Sequence, residues 1–151
     1  MATKKSAKRP KAAPKRPTRP KRKQPETLRV RSASPSFTVN DLPKSIAWYR
    51  DVLGFTEGER WDRDGKLEGI EMVAGTITLM LGQDDFAKGR DRRKGEGTRV
   101  WLNTAQSIDA LAKRIKEHGG RLDYEPRDQP WGDRTFGLTD PDGFHLTFVQ
   151  L

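Results

Sequence analysis

The feature that most constrains this chain is an order of elements that occurs twice. In the first half, "SPSFTVND" alternates apolar Phe37 and Val39 with polar Ser36 and Thr38, the period of a half-buried strand. Asp41 is placed to cap a helix over "LPKSIAWYRDVLGF", with Pro43 tolerated in its first turn and Gly54 placed to end it. Ile46, Tyr49 and Leu53, with Val52 alongside, form the apolar stripe of that helix. Three strands are expected next, at Thr56–Asp62, Leu67–Val73 and Thr76–Leu81, separated by "RDG" and "AG" turns. The second half repeats the order. "TRVWLNT" is a strand, Ser107 caps "IDALAKRIKEHGG" with its stripe Ile108, Leu111 and Ile115, and "RLDYEP", "DRTFGLTD" and "FHLTFVQ" follow as strands. Two βαβββ modules, 34–83 and 97–151, make an α+β domain over 34–151. The charged, glycine-containing stretch 84–96 reads as an exposed connector.

The charge of +9 is unevenly shared. Residues 1–31 hold 13 of the 30 Lys/Arg and one of the 21 Asp/Glu, so this leader carries +12 and the remainder −3. With five prolines in the leader and little apolar before Leu28, residues 1–33 read as a disordered Lys/Arg/Pro/Ala-rich tail. Such a segment can neutralise phosphates and tether the chain to nucleic acid without sequence preference, or serve only as a solubilising extension. No aromatic lies in residues 1–31, so base stacking is not available there. Cysteine is absent, which excludes disulfides, thiol nucleophiles and cysteine-ligated zinc. No apolar run is long enough for a membrane span and no signal-peptide core is present, so the expected location is cytoplasmic.

The last strand carries the candidate chemistry. In "DPDGFHLTF", His145 and Thr147 share one face, and Phe144, Leu146 and Phe148 share the other. Asp140 to Gly143 suit a type I turn and receive no chemical role. His118, beside the glycines that stop the second helix, suits a helix C-terminus.

"FTVNDLPKSIAWYRDVLGF" and "PWGDRTFGLTDPDGFHLTF" resemble the opening and closing signatures of the vicinal oxygen chelate superfamily, which includes glyoxalase I, extradiol dioxygenases and bleomycin-resistance proteins. The resemblance covers residues 34–150 and implies two modules whose curved sheets form a cup-shaped cavity. In metal-dependent members the ligands are His, Gln or Glu at positions that fall here on Ser34, Leu79 (within one position), Gly97 and Thr147. That donor set is very poor for a divalent metal. The expectation is therefore no cofactor, and resemblance to the metal-free, dimeric bleomycin-resistance members that sequester a drug.

By strand parity the cavity faces carry Ser36, Thr38, Arg99, Trp101, Asn103, His145 and Thr147, with Trp61 and Trp131 near the rims and Phe136 opening its strand. Aromatic walls with a few polar groups suit a planar small molecule. The leading expectation is metal-free binding of such a ligand, an antibiotic or another planar molecule, by a homodimer, which favours a binding protein over an enzyme. Alternatives are a metal-dependent lyase, isomerase or dioxygenase, acid–base catalysis by His145 with Glu71 or Asp133, and a nucleic-acid-associated protein tethered by residues 1–31.

Overall fold

The computed structural model describes residues 30–151; the leader expected to be disordered falls, up to residue 29, outside the described residues. Ser32–Leu151 form one unit. Its elements are β1 (Ser36–Val39), α1 (Leu42–Ala47), β2 (Thr56–Arg63), β3 (Lys66–Ala74) and β4 (Ile77–Gln83), then β5 (Arg99–Thr104), α2 (Ile108–Glu117), β6 (Leu122–Asp128), β7 (Arg134–Thr139) and β8 (His145–Gln150). The strands make two four-stranded mixed sheets in the orders β1-β4-β3-β2 and β5-β8-β7-β6. In each, the first strand lies parallel to the last and the other neighbours are antiparallel.

The two modules are built by the same local devices. Asp41 accepts from the Lys44 amide at 3.0 Å and Ser107 from the Ala110 amide at 3.3 Å, each capping its helix. The last residue of β4, Gln83, takes the Leu42 amide at 3.0 Å, and the last residue of β8, Gln150, takes the Ile108 amide at 3.1 Å. A glutamine ending the fourth strand thus satisfies an otherwise orphaned helix N–H in both modules. The first helix differs from the single helix expected. It passes at Trp48 into a π-helix, Trp48–Leu53, that ends at left-handed Gly54 (φ 85°) and buries Tyr49, Val52 and Leu53.

The helices pack on one face of each sheet. Phe37, Ile70 and Leu81 from the first sheet and Leu138, Leu146 and Phe148 from the second belong to one buried cluster with Leu42, Tyr49, Leu111 and Ile115. Each such side chain contributes about 1.5–3 kcal/mol relative to exposure.

The connector departs from expectation. Asp84 and Lys94 are buried, and Lys94 Nζ lies 2.6 Å from both Asp84 Oδ2 and Asn40 Oδ1. Arg92 adds a second cation to Asp84 at 2.9 Å. These charges looked solvated in sequence, yet their pairing lets them sit inside. Gly95 then runs directly against the Gly143 carbonyl, where a side chain at either glycine would collide with backbone.

Candidate ligand-binding face

The second sheet presents a polar and aromatic face opposite the core. Register places Arg99 beside His145 and Trp101 beside Thr147 on β5 and β8, then His145 beside Thr139 and Thr147 beside Gly137 on β7. Arg99 Nη1 donates to Thr147 Oγ1 at 3.0 Å, and Thr139 Oγ1 lies 2.8 Å from His145 Nδ1. Trp101 and Trp131, 49% and 61% exposed, meet with ring centroids 6.5 Å apart. Trp131 is oriented by its indole N–H, which donates to Asp133 at 3.0 Å. Arg99, Trp101, Trp131, His145 and Thr147 are therefore brought together. Thr147 is only 1% exposed, so it holds Arg99 rather than meeting a ligand itself.

Sequence reasoning missed Tyr124. Its ring lies across Gly137 so closely that a Cβ there would come within 2.5 Å of it, and its hydroxyl reaches Thr135 at 3.1 Å. The signal was Gly137 itself, since a glycine inside a strand marks close approach by another group. Arg127 stacks over the outer side of this ring at 4.5 Å.

Ser36, Thr38 and Trp61 lie on the corresponding face of the first sheet. Ser36 and Thr38 are exposed and neighbour Met80 and Gly82, while Trp61 pairs with Gly69 and lies over it. Aromatic over glycine is thus common to both modules, Trp61 on Gly69 and Tyr124 on Gly137. Trp61 remains 39% exposed, a stacking surface beside a floor stripped of side chains at Gly69 and Gly82.

Phe136 does not belong to this face. It is fully buried, paired in register with Phe148 and stacked on it at 4.9 Å. Being one residue from Gly137 places it on the opposite side of the strand, in the core. Tyr49 and Asp140 also lie inside; the phenol donates to Asp140 Oδ2 at 2.9 Å. Burial raises the Asp140 carboxyl above its ordinary range, against the amides of Phe144 and Asp142 and the Tyr49 hydroxyl, which lower it. Desolvation and the Asp140 charge push the Tyr49 phenol up as well. His118 takes the C-cap of α2, its Nδ1 2.8 Å from the Arg114 carbonyl.

The positions that resemblance assigned to metal ligands do not fit a metal. Leu79 is buried in the core, its open-face neighbours are Thr78 and Met80, Gly97 has no side chain, and Thr147 is committed to Arg99. Among the described residues, no three His, Asp or Glu side chains are grouped to hold an ion. Of the partners considered for His145, Glu71 is on the first sheet, and Asp133, which holds Trp131, precedes the end of β7 opposite to Thr139, the register neighbour of His145.

A cleft of about 730 Å³ adjoins Trp101 and Asn103 at the edge of β5. The β3–β4 turn at Thr76 and Ile77 and Arg114 of α2 also line it. Gly54 makes room for Arg114, because a Cβ there would come within 2.5 Å of the guanidinium.

Comparison with known proteins agrees with this architecture. A member of the Glyoxalase/bleomycin resistance protein/dioxygenase superfamily from Sphaerobacter thermophilus superposes with TM-score 0.67 at 25% identity, covering 81% of this chain and 98% of that one. TioX from a Micromonospora species shares the fold, with TM-score 0.64, 18% identity, and 79% and 98% of the two chains covered. A bleomycin resistance protein of Geobacillus stearothermophilus is 29% identical over 126 residues, 77% of this chain and 93% of the relative. Among the described residues no helix is long and apolar enough to cross a membrane. With the matching family model spanning residues 31–148, the chain belongs to the Glyoxalase/Bleomycin resistance protein/Dioxygenase superfamily.

Proposed function

We propose that the domain binds a planar, aromatic small molecule on its open sheet faces without a metal cofactor, sequestering it rather than transforming it. The observation that carries this reading is the exposed Trp101–Trp131 pair beside Arg99 and His145. Stacking surface, a cation and hydrogen-bonding groups converge there, the composition of a small-molecule site. The bleomycin resistance proteins among its relatives support an antibiotic as the ligand class. A homodimer fits the same reading, because Trp61 on one sheet and Trp101 on the other both stand uncovered in the single chain.

The test is calorimetric titration of the full chain with metal-free bleomycin, followed by tryptophan fluorescence. Trp101→Ala and Trp131→Ala are expected to weaken binding about tenfold each, close to one lost aromatic contact, with thermal unfolding unchanged. Unchanged affinity in both variants, or no binding by the full chain, removes this reading. Sedimentation equilibrium tests the dimer separately.

The division of charge supports a second, separable property. The +12 leader suits non-specific attachment to nucleic acid while the −3 remainder holds the ligand.

A further inference from the structure

On the open face of the second sheet, three side chains form a line whose proton positions can be counted. Thr139 Oγ1 donates to Asp123 Oδ2 at 2.7 Å. A carboxylate only accepts, and a hydroxyl has a single proton, so that proton is committed to Asp123. The same Oγ1 lies 2.8 Å from His145 Nδ1 and can only accept there. His145 Nδ1 must therefore carry a hydrogen. The neutral ring is then the Nδ1–H tautomer, the opposite of the form a free histidine side chain favours in water, with a bare lone pair on Nε2. The hydrogen bond at one ring nitrogen thus sets the role of the other. Among the described residues Nε2 has no hydrogen-bond partner, and the His145 side chain is 38% exposed.

The surroundings narrow what that lone pair can meet. Arg99 is the register neighbour of His145 on β5 and uses Nη1 to hold Thr147. Its other N–H groups remain to point outward. An acceptor therefore stands next to a cationic donor, with Trp101 two residues along β5.

We propose that His145 is a specificity-determining residue, fixed by the Asp123–Thr139 relay as a hydrogen-bond acceptor, and that the face selects planar heteroaromatic acids whose ring N–H adjoins a carboxylate. The N–H donates to Nε2 and the carboxylate takes Arg99. Thr139 and Asp123 are positioning residues that act only through the imidazole. This rests on the ligand-binding reading above, but the tautomer can be measured without a ligand.

The experiment uses the full chain with 15N-labelled histidine, with the two rings assigned by His118→Gln. Two-bond proton–nitrogen spectra at alkaline pH, where imidazoles are neutral, report which nitrogen is bare. The expected result is a bare Nε2 on His145. Asp123→Ala frees the Thr139 proton to point at Nδ1 and should move His145 toward the Nε2–H form. Thr139→Val should do the same, and Thr139→Ser should keep the wild-type pattern. Because Asp123 is exposed, its variant keeps the test open should a substitution at Thr139 fail to fold.

The probes are indole-2-carboxylate and its 1-methyl analogue, titrated in the same spectra. The N–H compound should bind about tenfold more tightly, since the methylated one leaves Nε2 unpaired, and Asp123→Ala should abolish the difference. A protonated Nε2 in the wild-type chain overturns the relay. A bare Nε2 with equal binding of the two probes, or binding of neither, overturns the ligand class. Loss of binding in Trp101→Ala with the tautomer unchanged separates the fate of this inference from that of the site.

Discussion

The hydroxyl of Tyr49 on the π-helix donates to Asp140 of the turn before the last strand, 91 residues later, at 2.9 Å. Two further bonds cross between the same segments: the Asn40 amide and the Ser45 hydroxyl reach the Asp142 carboxylate at 2.7 and 3.1 Å. The Asp-Pro-Asp-Gly turn is thus a fastening between the modules as well as a reversal. Tyr49→Phe leaves a buried carboxylate short of a donor. It should destabilise the domain by about 1.5–3 kcal/mol, the range for a hydrogen bond to a charged group. Urea unfolding measures this, and a loss below about 0.5 kcal/mol would show the hydroxyl to be dispensable.

Asp84 should govern part of the acid response. Hydrogen bonds from Lys94 above all, then from the Phe86 amide and Arg92, hold its carboxyl well below the usual range. A carboxyl depressed in the folded state binds fewer protons there than when unfolded, so its contribution is present above pH ~4 and is lost as pH falls from there. Asp140, raised by burial, has the opposite sign. Urea midpoints between roughly pH 2.5 and 7 should therefore decline on the acid side, and Lys94→Met should lower the neutral plateau and flatten that decline. An unaltered acid limb in Lys94→Met would place the response elsewhere.

Gly137→Ala should cost more than Gly69→Ala. The new methyl at 137 would stand 2.5 Å from the Tyr124 ring, while that at 69 would stand 3.0 Å from Trp61 and 3.2 Å from a backbone carbonyl. Displacing Tyr124 also breaks its bond to Thr135, so about 1–3 kcal/mol is expected at 137. Parallel urea curves for the two variants give the order, and equal losses would show Tyr124 to be free to move.

Removing residues 1–31 should abolish DNA affinity and leave bleomycin titration unchanged. In the full chain, binding to a mixed-sequence duplex should weaken steeply as salt rises, by the release of counterions. Affinity surviving the deletion would assign nucleic-acid binding to the folded unit instead.

Much of the fold was legible because it is written in local patterns. Asp41 and Ser107 cap their helices, Gly54 ends the first helical segment, and the alternation in "SPSFTVND" separates core Phe37 and Val39 from exposed Ser36 and Thr38. What escaped depends on partners distant in sequence. Phe136 was placed on the binding face only as the residue opening its strand; it alternates in phase with Leu138, and its register pairing with Phe148 puts it in the core. Asp84 and Lys94 looked solvated because burial of a charge is visible only with its counter-charge in place. The Asp123–Thr139–His145 line needs β6, β7 and β8 side by side, and a register shift near Leu122 helps hide it from simple strand parity.

The buried Asp84–Lys94 pair turns the segment between the modules into a closed ring rather than a length of slack chain. A ring of this kind has a fixed clasp and a free perimeter. Residues added at its outer edge, beside exposed Gly89, only enlarge the perimeter, and doubling it costs about 0.6 kcal/mol. Moving either end by one residue opens the clasp. Insertions between residues 87 and 91 should therefore leave the clasp closed, whereas one between Asp84 and Phe86 or between Arg92 and Lys94 should open it.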